Sequence, residues 1–219
     1  MKARRFAISD IHGRLQTFRA LLTQIGFCHD DCLFLLGDYI DRGPDSIGTL
    51  NFLIDLQQAN PKLKIIRGSH EELFLLFYYN RDVYMVKKMI ARKKYSFQHF
   101  EHLIEQKHLD FIEQMPYYIE LDDCILVHAG LDLEAEKPFE ETEDMLWIKD
   151  WQYLPGKLNN KSIIHGHQSQ SLIDIKKMID NREKKICIDN CCNSTEPEFG
   201  NLLCLNLDSY ELTIQRNID

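Results

Sequence analysis

Apolar residues in this chain fall into short runs, and the spacing inside the runs changes along its length. In the first third, "RRFAIS", "CLFLLG" and "LKIIRG" are nearly continuous apolar runs, which predicts strands buried on both faces. Between them, "LQTFRALLTQIGF" and "SIGTLNFLIDLQQ" carry apolar residues at helical spacing. Gly26 is a stop for the first helix and Ser46 lies near the start of the second. A third helix is expected from about His70, and residues 81–114 read as helical. Strand–helix–strand–helix–strand with apolar strands implies a parallel sheet covered on both faces.

The texture then becomes β-rich. "YYIELDDCILVHAG" predicts a hairpin turning at Asp122-Asp123, and "KSIIHGH" a lone strand. "MIDNREKKICID" and "LLCLNLDSYELTIQ" predict two further hairpins, with Asn and Asp as turn residues. The expected fold is α/β with a β-rich tail: two packed mixed sheets flanked by helices, in one domain over residues 1–219.

Composition narrows the function classes. Of 219 residues, 44% are hydrophobic and 27% charged, the balance of a water-soluble globular chain. The formal net charge of -8 argues against duplex nucleic acid as a partner, because phosphate backbones favour basic surfaces. No apolar run has the length of a membrane span, and the N-terminus lacks the apolar core of a signal peptide. Seven cysteines at irregular spacing do not form a disulfide framework, so reduced thiols in a cytoplasmic chain are expected. A monomer or weak oligomer is the corresponding expectation.

The chemistry sits where strands stop. "FAIS" runs into Asp10-Ile11-His12-Gly13, and "LFLLG" into Asp38 with Asp41-Arg42-Gly43 just after. "LKIIRG" ends in Ser69-His70-Glu71, "CILV" in His128-Ala129-Gly130 and "SII" in His165-Gly166-His167. Ligands in open α/β sheets bind beyond the carboxyl ends of strands. If these strands are neighbours, carboxylates and imidazoles converge there, a mixture suited to manganese, iron or zinc. A carboxylate shared by two ions suits a two-metal hydrolytic site.

"SDIHG", "GDYIDRG", "RGSHE", "HAG" and "HGHQ" together resemble the phosphoprotein phosphatase family of metallophosphatases, in particular its small bacterial and phage members. The resemblance runs from about Ala7 to about Gln168 and implies a calcineurin-like metallophosphoesterase fold. By position it implies that Asp10, His12 and Asp38 bind a first divalent ion, most simply manganese, with iron or zinc as alternatives. Asp38, His128 and His167 would bind a second, with Ser69 standing where the family pattern G-N-H-E has asparagine. Serine's short side chain is expected to leave that second site weakened. His70, oriented by Asp41, would protonate the leaving oxygen, while a hydroxide held between the two ions attacks phosphorus directly. Arg42 would hold phosphoryl oxygens, and Lys149 stands where a second phosphate-binding arginine is usual.

Three functions fit these residues. The first is a serine/threonine protein phosphatase acting on phosphorylated proteins or peptides. The second is a dinucleoside polyphosphate hydrolase of the same superfamily. The third, motivated by Ser69 and Lys149, is a degenerate member that binds phosphorylated partners without turnover. A cysteine phosphatase is disfavoured because no cysteine is followed six residues later by arginine. Gly156-Lys157-Leu158 is no P-loop. Arg67 is expected to orient site carboxylates, His165 to be either a supporting or a core residue, and the basic stretch 87–94 to be a solvated helix face or a collar for acidic phosphopeptides.

Overall fold

The computed structural model describes residues 3–80, 83–84, 87–88 and 95–219. Two sheets pack face to face. The first has strand order β3-β2-β1-β8-β9, from β1 (Arg5–Ile8), β2 (Cys32–Leu35), β3 (Leu63–Ile65), β8 (Asn201–Asn206) and β9 (Leu212–Arg216). The second has order β4-β5-β6-β7, from β4 (Tyr118–Glu120), β5 (Cys124–Val127), β6 (Ser162–His165) and β7 (Lys185–Cys187). β1, β2 and β3 are parallel, and β8 and β9 close that sheet antiparallel. In the second sheet β5, β6 and β7 are parallel and β4 is antiparallel to β5.

The period-2 alternation of strands sorts these residues into layers. Phe6, Ile8, Leu33 and Leu35 face the helices α1 (Leu15–Gln24), α2 (Ser46–Ala59) and α3 (Ser69–Tyr79). Ala7 and Phe34 face inward and meet Cys124, Leu126, Ile164 and Ile186 of the second sheet. Ile125, Val127 and Ile163 face outward against Trp151 and Leu158. Continuous apolar runs are what such doubly covered strands require, so the expectation of two packed sheets holds.

Three local expectations change. "MIDNREKKICID" is not a hairpin: helix α6 (Leu172–Asp180) leads into β7, which lies parallel to β6. Ile175 and Ile179 bury one face of α6, and the Ser171 side chain caps it by accepting from the Asp174 N–H at 3.1 Å. Asn181 ends a helix there and does not turn a hairpin. Within 81–114, the described residues Tyr84, Lys87 and Lys88 are helical as expected, but short 3-10 turns follow at Phe97–His99 and Glu101–Leu103 before helix α4 (Gln106–Glu113). Most of the basic stretch 87–94 lies outside the described residues. The third concerns Arg67, whose guanidinium contacts Glu72, Tyr117 and the backbone carbonyls of Ile112 and Glu113. Those contacts pin α3 to α4, and none goes to a carboxylate of the strand-end cluster. A short helix α5 (Thr142–Trp147) follows β5. No helix among the described residues is long and apolar enough to cross a membrane.

Candidate metal centre

The five strand-end motifs meet in one place. Asp38, just past β2, is its centre. Its Oδ1 lies 3.3 Å from His128 Nε2, and its Oδ2 lies 3.8 Å from both His12 Nε2 and His70 Nε2. Asp10 Oδ1 stands 4.0 Å from His12 Nε2, and His167 Nδ1 stands 3.2 Å from His128 Nε2. Two groups result, His12–Asp38–His70 and Asp38–His128–His167, each with ligand atoms within 4.8 Å of one another. Asp38 belongs to both.

The backbone is bent to make this happen. Asp10, His12, Asp38, Asp41, Arg42 and His167 all have φ between 49° and 70°, the left-handed region that side chains rarely adopt. Gly166 lets the second sheet approach the first, since a Cβ there would stand 1.9 Å from Ser9 Oγ and 2.0 Å from Asp10 Oδ2. Gly68 does the same at α3, where a Cβ would stand 2.1 Å from the Asp38 nitrogen.

The donor chemistry fits cations. His128 Nδ1 lies 2.8 Å from the Leu36 carbonyl, and His12 Nδ1 lies 3.2 Å from the Ile40 carbonyl. A carbonyl only accepts, so each Nδ1 carries a proton, and in the neutral ring each Nε2 is left with the lone pair that an ion beside Asp38 needs. Burial and the neighbouring His70 lower His12 to about 3, and burial and His128 lower His167 to about 4, so both rings stay neutral. Burial also disfavours the charged form of His128, but Asp38 and Asp10 outweigh it and push that ring up to about 10 in the ion-free protein. Burial and the charge of Asp189 push the Asp10 carboxyl well up. A buried set of acids and imidazoles sharing one carboxylate is what divalent ions require.

Beside this cluster stands an acid–base pair. His70 Nδ1 and Asp41 Oδ2 are 2.8 Å apart, and Asp41 Oδ1 accepts from the Ser96 N–H at 2.7 Å and from the Ser96 hydroxyl. Burial works against the Asp41 carboxylate, yet the bonds from His70 and Ser96 hold it below its ordinary range. Asp10, Asp38, Arg42, Ser69, His70, Tyr95, Trp147, Lys149 and His167 line one cavity of about 290 Å³. The Ser69 hydroxyl lies 3.2 and 3.3 Å from the two Asp38 oxygens and 3.5 Å from His167 Nδ1. Thus Asp10, His12, Asp38, Ser69, His70, His128 and His167 gather in one cluster, with Asp41, Arg42 and Lys149 at its edge. His165 is fully buried, with Nδ1 3.0 Å from the Gly166 carbonyl and its ring against Trp151.

Sequence reasoning missed several participants. Tyr95 packs edge-on to His70 at 5.2 Å, and Trp147 edge-on to His167 at 5.9 Å. Trp147 lies two residues before Lys149 in "LWIKDW", a stretch in which the sequence pointed to Lys149 alone. Asp189 accepts from Ser169 Oγ at 2.8 Å and from the Cys191 N–H at 2.7 Å, which steadies the loop after His167. Its signal is the strand-end position of "ICID", the same pattern that flagged the others.

Comparison with known proteins agrees with this geometry. A bis(5'-nucleosyl)-tetraphosphatase (symmetrical) from Neisseria meningitidis is 32% identical over 127 residues, 58% of this chain and 43% of that protein. The asymmetrical bis(5'-nucleosyl)-tetraphosphatase PrpE of Bacillus thuringiensis is 28% identical over 138 residues, 57% of this chain and 56% of its own length. The chain therefore spans about half the length of the curated relatives it matches. Among solved structures, a protein serine/threonine phosphatase from Saccharomyces cerevisiae superposes with a TM-score of 0.65 at 16% identity, covering 100% of this chain and 81% of that one, which shows a shared fold. Residues 3–196 match the calcineurin-like phosphoesterase family, and that match contains every residue of the Asp38 cluster. The chain belongs to the calcineurin-like phosphoesterases, hydrolases that use divalent metals.

Proposed function

We propose that this chain hydrolyses dinucleoside polyphosphates with two divalent ions, manganese first and iron or zinc as alternatives, all of which suit a mixed carboxylate–imidazole set. The observation that carries the reading is Asp38 shared between two ligand groups, beside a cavity lined by Asp10, Arg42, His70 and Lys149; His70 falls within the first group by distance, and its Nδ1 contact with Asp41 is what favours the proton-donor role for it. Both curated relatives described above act on bis(5'-nucleosyl) tetraphosphates, which supports this substrate class over phosphoproteins. Asp10, His12 and Asp38 would hold one ion; Asp38, His128 and His167, with Ser69 beside them, the other. Ions held there supply Lewis acidity that activates water and neutralises phosphate charge. Arg42 and Lys149 balance the remaining charge on the phosphoryl oxygens, Arg42 as a two-pronged donor and Lys149 as a point charge. Asp41 accepts from His70 Nδ1 and stabilises the imidazolium, so that Nε2 gives its proton to the leaving oxygen.

That proton donor also favours a second reading, a phosphoserine or phosphothreonine phosphatase. An alkoxide leaving from serine needs a proton in the transition state, whereas a nucleotide phosphate leaves readily without one. One experiment separates the two. The purified chain and its His70→Asn variant are given diadenosine tetraphosphate and a phosphoserine peptide, with manganese and with chelator, and products are resolved by chromatography. Manganese-dependent release of nucleotides, at a rate well above phosphate release from the peptide, is expected. His70→Asn is expected to depress peptide turnover more than tetraphosphate turnover, by about tenfold or more, within the usual scale of general acid catalysis. Turnover of the peptide alone overturns the nucleotide reading, and turnover of neither overturns both.

A further inference from the structure

Two side-chain hydroxyls line the cavity over the ligand cluster, those of Ser69 and Tyr95. Ser69 is engaged with the Asp38 carboxylate. Tyr95 is only 9% exposed, yet among the described residues its hydroxyl has no hydrogen-bond partner. Tyrosine hydroxyls that are buried usually find one, and a polar group left without a partner in a native chain calls for an explanation.

Packing does not supply that explanation. The Tyr95 ring stacks on Phe97 at 5.2 Å with the ring planes 4° apart, and it meets the His70 ring edge-on at 5.2 Å. Phe97 in turn packs against Phe74, Phe77 and Phe100. A phenylalanine at position 95 would fill the same place in this aromatic layer, so packing accounts for the ring and leaves the hydroxyl over. The contacts on the face and at the edge hold the ring in one orientation. Burial raises the Tyr95 pKa, and the charges acting on its hydroxyl are those of Arg42, Asp38 and Asp41. The hydroxyl therefore lies on the side of the ring that looks toward the cluster.

Arg42 and Lys149 stand on the walls of the same cavity and supply its positive charge. A phosphoryl group carries more acceptor lone pairs than two cationic side chains fill. A phenol donates to one of the remaining oxygens without adding charge. We infer that the Tyr95 hydroxyl is a substrate contact, donating to a phosphate oxygen held over the ligand cluster. The inference rests on the proposed phosphohydrolase reading and adds a neutral donor to its phosphate site.

Tyr95→Phe removes one oxygen and keeps the ring that packs on Phe97 and His70. Inorganic phosphate is titrated by calorimetry into the unaltered and substituted chains, each with manganese. The substituted chain is expected to bind phosphate about tenfold more weakly, the scale of one hydrogen bond to a charged group. Manganese affinity without phosphate is expected to be unchanged, because Tyr95 belongs to neither ligand group. In turnover, KM is expected to rise with kcat little altered, the pattern of a contact made in ground and transition states alike. Equal phosphate affinities overturn the inference. So does a loss matched by an equal loss of manganese affinity, which would trace the effect to the structure of the centre. Absence of phosphate binding by the unaltered chain overturns it as well. Turnover of diadenosine tetraphosphate by the unaltered chain is scored separately. A tenfold phosphate difference without that turnover supports the contact and removes tetraphosphates as the substrate; turnover with equal phosphate affinities overturns the contact and leaves the parent reading.

Discussion

Ser69 is the residue where this chain departs most from the family pattern it resembles. An asparagine there would present a neutral carbonyl oxygen to an ion one atom farther from the backbone than a hydroxyl. The serine oxygen still comes within 3.2 Å of Asp38, because Ser69 opens α3 and the Gly68–Asp38 approach is close. In the ion-free protein that hydroxyl donates to the Asp38 carboxylate, the one oxygen pair both ligand groups need. A hydroxyl is a weaker ligand than an amide carbonyl, and as a donor it competes for the shared acid. Ser69→Asn is therefore expected to tighten manganese binding by about tenfold, the low end of what a residue supporting a metal site contributes. Titration calorimetry of the unaltered and substituted chains, alongside the manganese dependence of turnover, checks it. Unchanged manganese affinity would show that serine serves as well as asparagine.

At the scale of elements, one side chain organises the turn after β2. Glu71 is fully buried in the first turn of α3. Its carboxylate accepts from the backbone N–H groups of Asp38, Tyr39, Ile40 and Gly68 at 2.8 to 3.2 Å. Burial and the nearby Asp38 push its carboxyl upward, while the backbone bonds oppose that shift. Those four donors belong to the segment that carries Asp38 and to the cap of α3, so Glu71 sets the cluster through the backbone. Glu71→Gln replaces one acceptor oxygen with an NH2 group that faces N–H donors. It is expected to cost about 2–4 kcal/mol of folding stability, the scale of leaving buried donors unsatisfied. Urea denaturation measures this, and a loss under about 0.5 kcal/mol, the level of an ordinary surface change, would mean the loop is held by other contacts.

The same elements explain what could be read from the chain alone. The strand ends carrying Asp10, Asp38, Ser69-His70, His128 and His167 were legible because apolar runs stop abruptly at ligand-type residues. The role of Glu71 was not, since a capping glutamate looks the same whether it binds one amide or four. Tyr95 and Ser96 follow no apolar run, and they reach His70 and Asp41 only through tertiary packing. Helix α6 was misread because Asn181-Arg182 after apolar residues is also what a hairpin turn looks like.

Across the whole molecule, the ligand cluster straddles the two sheets. Asp10, His12 and Asp38 follow strands of the first sheet, while His128 and His167 follow strands of the second. Between the sheets lies an apolar layer, and at its functional end lie the buried acids Asp10, Asp38 and Asp189. Buried like charges repel, and without ions their cost falls on bound protons and on imidazolium formation at His128. Divalent ions would relieve that repulsion and join both sheets through Asp38. Ligands that bind only the folded state raise its stability by mass action. At one hundred times the dissociation constant the gain is about 2.7 kcal/mol per site, which for a chain of this size is a rise of about 5–10 °C in Tm. The check is thermal unfolding with added manganese and with chelator. His128→Ala and Asp10→Asn, one from each sheet, should both shrink the manganese-dependent rise, because each removes a donor from a centre spanning the interface. A rise that only the first-sheet substitution diminishes would place the ions on one sheet and remove the bridge.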